Sequence, residues 1–420
     1  MYFSGLASPS VSVANDVVRV IKVAGDDLYV GGDFDGFAGG FNRDRIARWN
    51  NIDQSWHSLG GTPESGKITN GIVYSIEVSG EYVYVGGNFT LLDYTGTEYH
   101  NLAYFNLVTE TWHGFPGPIS ADVISDGEVR AIYADPTDNS LYVGGAFVNA
   151  NDNENADYLV VGDNNLCIGV VGACTVGAPE VSVCSGVGVT CAIPVPNHWA
   201  AVGDDGAGGP AISSFVSAIT AHPDGGLLIS GDFGNAGGQL GANSLVRLTY
   251  TDHLVWTPES APSISMYPIG SYGTDYYVGA WEDVYRRGTD GTWSAICPEV
   301  LHTPGAVWSA VTPVSESLVL VGRTNRLVAC NPITGQATTF DEGRTITSMA
   351  RFGDDLIVSG SANLGGLGSV GDYIAIIRGI PFGELPSTND DGRQSTDTMI
   401  LLATLAALTA LAGTQLLRRA

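Results

Sequence analysis

Lysine is almost missing from this chain of 420 residues; it occurs at Lys22 and Lys67 and nowhere else. Lys and Arg together number 18 against 44 acidic residues, a formal net charge of −26. A field of that sign repels phosphate backbones, which excludes nucleic acid as a partner class. It suits a soluble, exposed protein in salty or calcium-rich surroundings. The short motifs of familiar chemistry are missing too. No GK followed by Ser or Thr offers a phosphate loop, and the glycines do not keep dinucleotide spacing. There is no HExxH and no GxSxG nucleophile elbow. The N-terminus, "MYFSGLASPSVSVAND", has neither a basic start nor an apolar run, so no signal peptide is read there.

Long apolar runs are absent as well, with one exception. Met399 to Leu417, "MILLATLAALTALAGTQLL", carries no charge and is followed by "RRA". A helix needs about 20 apolar residues to cross a bilayer. The sequence therefore predicts a transmembrane helix over 399–417, a cytoplasmic tail at 418–420 and an extracellular remainder, because arginines favour the inner side. Upstream, residues 384–398 ("ELPSTNDDGRQSTDT") form a polar linker. The order LPST, polar spacer, apolar stretch, arginines resembles the LPxTG cell-wall sorting signal of Gram-positive surface proteins. The resemblance implies cleavage by a sortase thiol after Thr388, although Asn389 stands where that family has glycine. A plain membrane anchor is the other reading, and the terminal arginines disfavour a GPI signal. A mature or truncated chain reconciles this tail with the missing leader; a tail-anchored cytosolic protein is the alternative.

Of six cysteines, four lie together in "CIGVVGACTVGAPEVSVCSGVGVTC". Structural zinc sites favour Cys pairs two to four residues apart, whereas Cys167 and Cys174, like Cys184 and Cys191, enclose six. Disulfides are the preferred reading. Local bridges 167–174 and 184–191 are slightly favoured over the nested set 167–191 with 174–184. In a bulge-free hairpin the odd spacing would let only one nested pair occupy a non-hydrogen-bonded site. Cys297 and Cys330 are read as a third bridge, with two buried thiols as the bland alternative. Disulfides point to an oxidising, extracytoplasmic location.

What the chain has in abundance is a repeat. "LYVGGDF" near residue 28 returns as "VYVGGNF" near 83, "LYVGGAF" near 141 and "LLISGDF" near 227, then more loosely as "YYVGAW", "LVLVGRT" and "LIVSGSA". Alternating runs precede these phrases, segments such as "RIARWN" and "NLAYFN" follow, and "QSWHSLG", "ETWHGFPG", "NHWAAVGD" or "GTWSAICPE" close the unit. Each unit reads as four short strands divided by Gly, Asp and Asn turns. Seven such units predict an all-β propeller of seven four-stranded blades over residues 1–383. The glycine pair is expected to permit a bulge or a close neighbouring backbone. Trp56, Trp112, Trp199, Trp256 and Trp293 recur at the fourth strand and are expected to fill space between blades. The pattern "YVGGDFDGFAGG…RIARWN…SWHSLGG" resembles the delta-60 or kelch-like propeller repeat of bacterial and fungal cell-surface proteins. That resemblance implies a surface-displayed propeller and carries no defined catalytic set.

Two departures from the repeat stand out. The seventh unit, Arg344 to Gly379, offers three strand-like runs, and "MYFSGLAS" at the N-terminus resembles the missing fourth. The third unit carries an insertion over 158–197 that contains the four clustered cysteines. Disulfides hold such an excursion where no core does, and long insertions on regular scaffolds carry binding function. "GTDGTW" at 288–293 resembles the sialidase Asp box, but Asp290 lies too close to Trp293. Calcium is the one cofactor left open, at "DFDG" (33–36) and "NDNENADY" (151–158); neither keeps EF-hand spacing, and solvated Asx turns are favoured.

These features predict a non-enzymatic, envelope-anchored propeller acting in adhesion or in binding a protein or glycan ligand. The alternatives are a glycan-active enzyme with its site at the propeller axis, and a structural virion or surface-layer component. If residues 1–10 complete the last blade, deleting them lowers thermal stability sharply; an unchanged melting curve contradicts that clasp.

Overall fold

The computed structural model describes residues 14–36, 45–116, 122–135, 140–163, 198–242, 244–250, 254–260, 262, 268–304, 308–323, 326–341, 345–353, 355–360 and 373–378. The chain is an all-β propeller whose sheets are antiparallel meanders, each strand pairing with the next in sequence. In the first sheet the strands are Val18–Ala24, Asp27–Gly32, Ile46–Asn50 and Ser55–Ser58. The second strands of the sheets are Asp27–Gly32, Tyr82–Leu92, Ser140–Gly145, Leu227–Gly231, Asp275–Gly279, Leu318–Arg323 and Asp355–Gly360. These are the seven copies of the repeated phrase. In the fourth sheet a small hairpin, Asn235–Ala236 with Gln239–Leu240, interrupts the link between second and third strands.

The glycine pair has two separate jobs. The second glycine lies under a bulge in the adjoining first strand. A Cβ added to Gly32, Gly87, Gly145 or Gly231 would sit 2.0–2.1 Å from the carbonyl oxygen of Val17, Ile72, Glu128 or Phe215. Register shifts at Val18/Val20, Val73/Ser75, Gly144/Gly145 and Val216/Ala218 mark the same bulge. The first glycine makes room for the next sheet. A Cβ on Gly86, Gly144 or Gly322 would lie 2.3–2.5 Å from a methyl carbon of Val129, Val216 or Ile346. At these glycines a Cβ fits neither place, whereas Ser230 and Ser359 stand at the first position and Arg323 at the second in other sheets.

Local chemistry also repeats at the turn between third and fourth strands. The Asn50, Asn106 and Asn331 side chains each accept two backbone N–H bonds from that turn, at 2.8–3.1 Å. Such Asx bonds replace the ladder where the chain reverses. The expected tryptophans are packing residues. Trp112 is fully buried and donates from Nε1 to the Leu59 carbonyl at 2.7 Å. Trp56, Trp199 and Trp256 are buried, and Trp293 is half-buried against Tyr276.

The described chain falls into two compact units, one drawn from residues 1–58 and 268–420, the other from 59–267. In the first unit the fifth, sixth and seventh sheets pack in succession, and the seventh packs on the first. That last junction buries Val18, Ile21, Leu28 and Val30 with Ile357 and Ile374. Thr347 Oγ1 donates to the Val18 carbonyl, and the Ile21 N–H donates to Ser348 Oγ at 3.2 Å. A disulfide joins Cys297, which precedes the short helix Pro298–Leu301, to Cys330 on the sixth sheet. In the second unit the second, third and fourth sheets pack in succession around two apolar cores.

The blade count differs from the seven four-stranded blades expected. Six sheets have four strands; the seventh has three among the described residues, Ile346–Phe352, Asp355–Gly360 and Ile374–Arg378. The unit itself supplies only three apolar runs, and the expected closing strand at 1–10 lies outside the described residues. So do the transmembrane helix expected at 399–417 and the polar linker; no helix among the described residues is long and apolar enough to cross a membrane. The close approach at Gly145 predicts that Gly145→Ala costs about 2–3 kcal/mol in chemical denaturation. Gly234→Ala, whose Cβ would meet nothing within 4 Å, is expected to change stability by less than about 0.5 kcal/mol.

Candidate functional site

The second sheet departs furthest from the repeat. Its first three strands, Lys67–Ser79, Tyr82–Leu92 and Glu98–Asn106, have 13, 11 and 9 residues, against 7, 6 and 5 in the first sheet. The extra length ends in a turn at 93–97 held by Asp93. Its Oδ1 accepts from Thr95 N, Thr95 Oγ1 and Thr97 N at 2.7–2.9 Å. Tyr94 N then donates to the Trp112 carbonyl at 3.2 Å, which lays the turn along the outer strand, Thr111–Gly114. The Tyr94 ring thereby comes to 4.7 Å from His113.

Equivalent positions in other sheets vary in residue type, and two of them carry ion pairs. In the first sheet Asp27 on the second strand pairs with Arg48 on the third at 3.0 Å. In the fifth, Asp275 accepts from Arg286 Nε at 2.8 Å. In the second sheet both members are tyrosines, Tyr82 and Tyr104, with ring centroids 5.7 Å apart. Their rings continue into a ladder. Tyr104 stacks on His113 at 4.8 Å with planes 5° apart, and Tyr104 meets Phe115 at 5.1 Å. Tyr84 lies under them, buried. Tyr99 joins through Gly114, where a Cβ would fall 1.9 Å from the Tyr99 ring. Burial thus falls from Tyr84 through Tyr104 and His113 to Tyr94, which is 45% exposed.

Polar groups flank the ladder. Asp93 is 6% exposed, yet Oδ2 accepts no hydrogen bond among the described residues; its charge acts on Tyr99, Tyr104 and His113. His100 is fixed by Asp122, whose oxygens accept from the backbone N at 2.9 Å and meet Nδ1 at 2.8 Å; Nε2 lies 3.3 Å from Glu98. Both ring nitrogens therefore face carboxylates, and among the described residues no hydroxyl or thiol stands beside them as a nucleophile. Burial pushes the phenols of Tyr82, Tyr84, Tyr99 and Tyr104 upward. They stay neutral and remain hydrogen-bond donors. Burial pushes the His113 imidazole down, with Asp93 opposing in part.

The residues singled out in the sequence lie elsewhere. Cys297 and Cys330 are bonded to each other; Cys167, Cys174, Cys184, Cys191 and Thr388 lie outside the described residues. In the third sheet the strand Leu159–Asp163 pairs with His198–Ala201, and residues 164–197 lie outside the described residues. The first residues expected to belong to it, Leu159–Asp163, are instead the third strand. In "DFDG", Asp33 is engaged by Arg19 through both oxygens at 2.7 and 2.8 Å. In the other acidic loop, Asp157 accepts from Asn149 N at 2.7 Å and Asn153 caps Asn155. Asn153 thus closes an Asx turn, while Asp33 is held in an ion pair and Asp157 by a backbone N–H eight residues upstream. Asp290 likewise caps the turn at Thr292. His57 is tied to Asp53 and Ser55, as a structural repeat position would be. Sequence reading missed the tyrosine ladder, although a signal existed: Asp27 and Arg48 align with Tyr82 and Tyr104.

The depressed His113 pKa sets a pH test. Between that pKa and the ordinary value of 6.5 the unfolded chain binds the proton and the folded chain does not, so stability falls as pH drops through this window. An NMR titration is expected to place His113 below 6.5, and His113→Phe is expected to lose less thermal stability than the parent between about pH 7.5 and 5.5. A His113 titrating above its ordinary value contradicts the burial assigned to it.

No protein-family model matches the chain, and no curated protein is similar to it in sequence. Its backbone is similar to solved propeller structures. The extracellular domain of a hybrid two component system from B. thetaiotaomicron aligns with a TM-score of 0.52 at 10% identity, over 89% of this chain and 39% of that one. The chain thus spans well under half of that neighbour's length. YCF48 from Cyanidioschyzon merolae aligns at 0.48 and 10% identity over 88% and 96% of the two chains. U3-55K aligns at 0.49 and 12% identity over 86% and 95%. At such identities the likeness is one of fold, and the fold is a β-propeller.

Proposed function

We propose that the chain is a non-enzymatic, envelope-anchored propeller displayed outside the cell, binding a protein or glycan ligand through surface loops and its cysteine-rich insertion. The observation that carries this reading is at the third sheet. Strands Leu159–Asp163 and His198–Ala201 pair in unbroken register, from Val160 opposite Ala201 to Asp163 opposite His198, although 34 residues of sequence (164–197) separate them where the first sheet has four (51–54). A blade that keeps its ladder around such an excursion uses the blade as scaffold and the excursion as something else. The Cys297–Cys330 bond supports an oxidising compartment. The uncharged run at 399–417 followed by arginines supports an anchor with the propeller outside.

The test combines location with cysteine state. On intact cells an impermeant amine- or carboxyl-directed label is expected to reach the propeller. Non-reducing mass spectrometry is expected to find all six cysteines oxidised. Labelling only after lysis, together with free thiols at Cys167, Cys174, Cys184 and Cys191, contradicts the reading.

A further inference from the structure

We propose that the tyrosine ladder of the second sheet is a stacking platform for a neutral saccharide, with Tyr94 as its exposed face. The proposal rests on the glycan arm of the function above and names where that ligand binds.

Four observations converge on it. Fold requirements do not explain the aromatics, since the first and fifth sheets fill the same two positions with the Asp27–Arg48 and Asp275–Arg286 ion pairs. The platform is also built up from outside the blade pattern. The extended hairpin brings Tyr94 back over His113, and Gly114 forgoes a side chain so that Tyr99 can lie against the outer strand. One end of the ladder is rigid and buried at Tyr84, while the other, Tyr94, presents its ring to solvent. Finally, hydrogen-bonding groups border the rings: the Asp93 carboxylate, whose Oδ2 accepts no hydrogen bond among the described residues, and the neutral phenols of Tyr99 and Tyr104. An exposed aromatic ring with a rim of carboxylate and hydroxyl groups matches a pyranose, which has an apolar C–H face and an equatorial ring of hydroxyls.

The geometry chooses among occupants. A cage for an ammonium group needs rings separated by the cation, but Tyr94, His113 and Tyr104 are in contact at 4.7 and 4.8 Å. Anionic sugars are opposed by Asp93 and Asp122, whose charges act on Tyr99, and by the net charge of −26. A neutral sugar meets neither obstacle.

The test uses the full chain on immobilised maltohexaose, cellohexaose and mannohexaose, with polygalacturonate as the anionic control, and the variants Tyr94→Ala and Tyr94→Phe. Tyr94 is a surface side chain whose backbone N–H holds the turn, so both variants are expected to melt with the parent. The expected result is retention on at least one neutral hexasaccharide, weakened about tenfold by Tyr94→Ala and within about twofold of the parent for Tyr94→Phe. Neutral-sugar binding that ignores Tyr94→Ala overturns the platform and leaves the glycan function standing. Binding only to polygalacturonate, or capture of a protein ligand with no sugar retained, overturns the platform as well. Failure to bind any of these, together with an internal location, overturns the platform and the surface function alike.

Discussion

Each sheet of this protein is apolar on both faces, so it is stable only when a neighbour covers each of them. Coverage at the inner strand depends on two missing side chains. Gly145 lets the carbonyl of Glu128 bulge toward it at a distance where a Cβ would sit 2.0 Å away, and Gly144 receives Val216 of the next sheet. The same pair of contacts occurs at Gly86 and Gly87. Spacing between sheets, burial of the β-branched residues of the first strands, and the packing of Trp112 and Trp199 at the outer edge all follow from that approach. The glycine pair is thus a packing device.

Because the device is local, it can be read from sequence. Every "VGG"-like phrase marks the second strand of a sheet, down to the loose copies at Leu318–Arg323 and Asp355–Gly360. The fourth-strand tryptophans and the Cys297–Cys330 pair were legible for the same reason: residue type and periodicity carry them. The blade count was not, because closure of the seventh sheet depends on which distant segment supplies an edge, and its own three strands do not say. The tyrosine ladder was hidden for a related reason. Tyr82, Tyr94, Tyr104 and His113 come from three strands and a turn, and only cross-strand register brings them together. Seen one strand at a time, each tyrosine passes for a core aromatic.

Comparing sheets within the chain separates what the repeat needs from what it does not. Where the first sheet has Asp27, Arg48 and a His57 tied to Asp53, the second has Tyr82, Tyr104 and a His113 stacked between aromatic rings. The acidic loops go the other way: Asp33 is committed to Arg19, and the asparagines and aspartates at 149–157 close turns. Function in this molecule is therefore expected at departures from the repeat, the aromatic ladder and the cysteine-rich insertion.

The most direct measurement of that claim is hydrogen–deuterium exchange of the full chain with and without the neutral hexasaccharide it retains best. The account predicts slowed exchange in peptides spanning the turn at 93–97 and the outer strand Thr111–Gly114, with the second strands of the first and fifth sheets, Asp27–Gly32 and Asp275–Gly279, unchanged. Protection centred on the "DFDG" turn at 33–36 or on Asp275–Gly279 instead would contradict it.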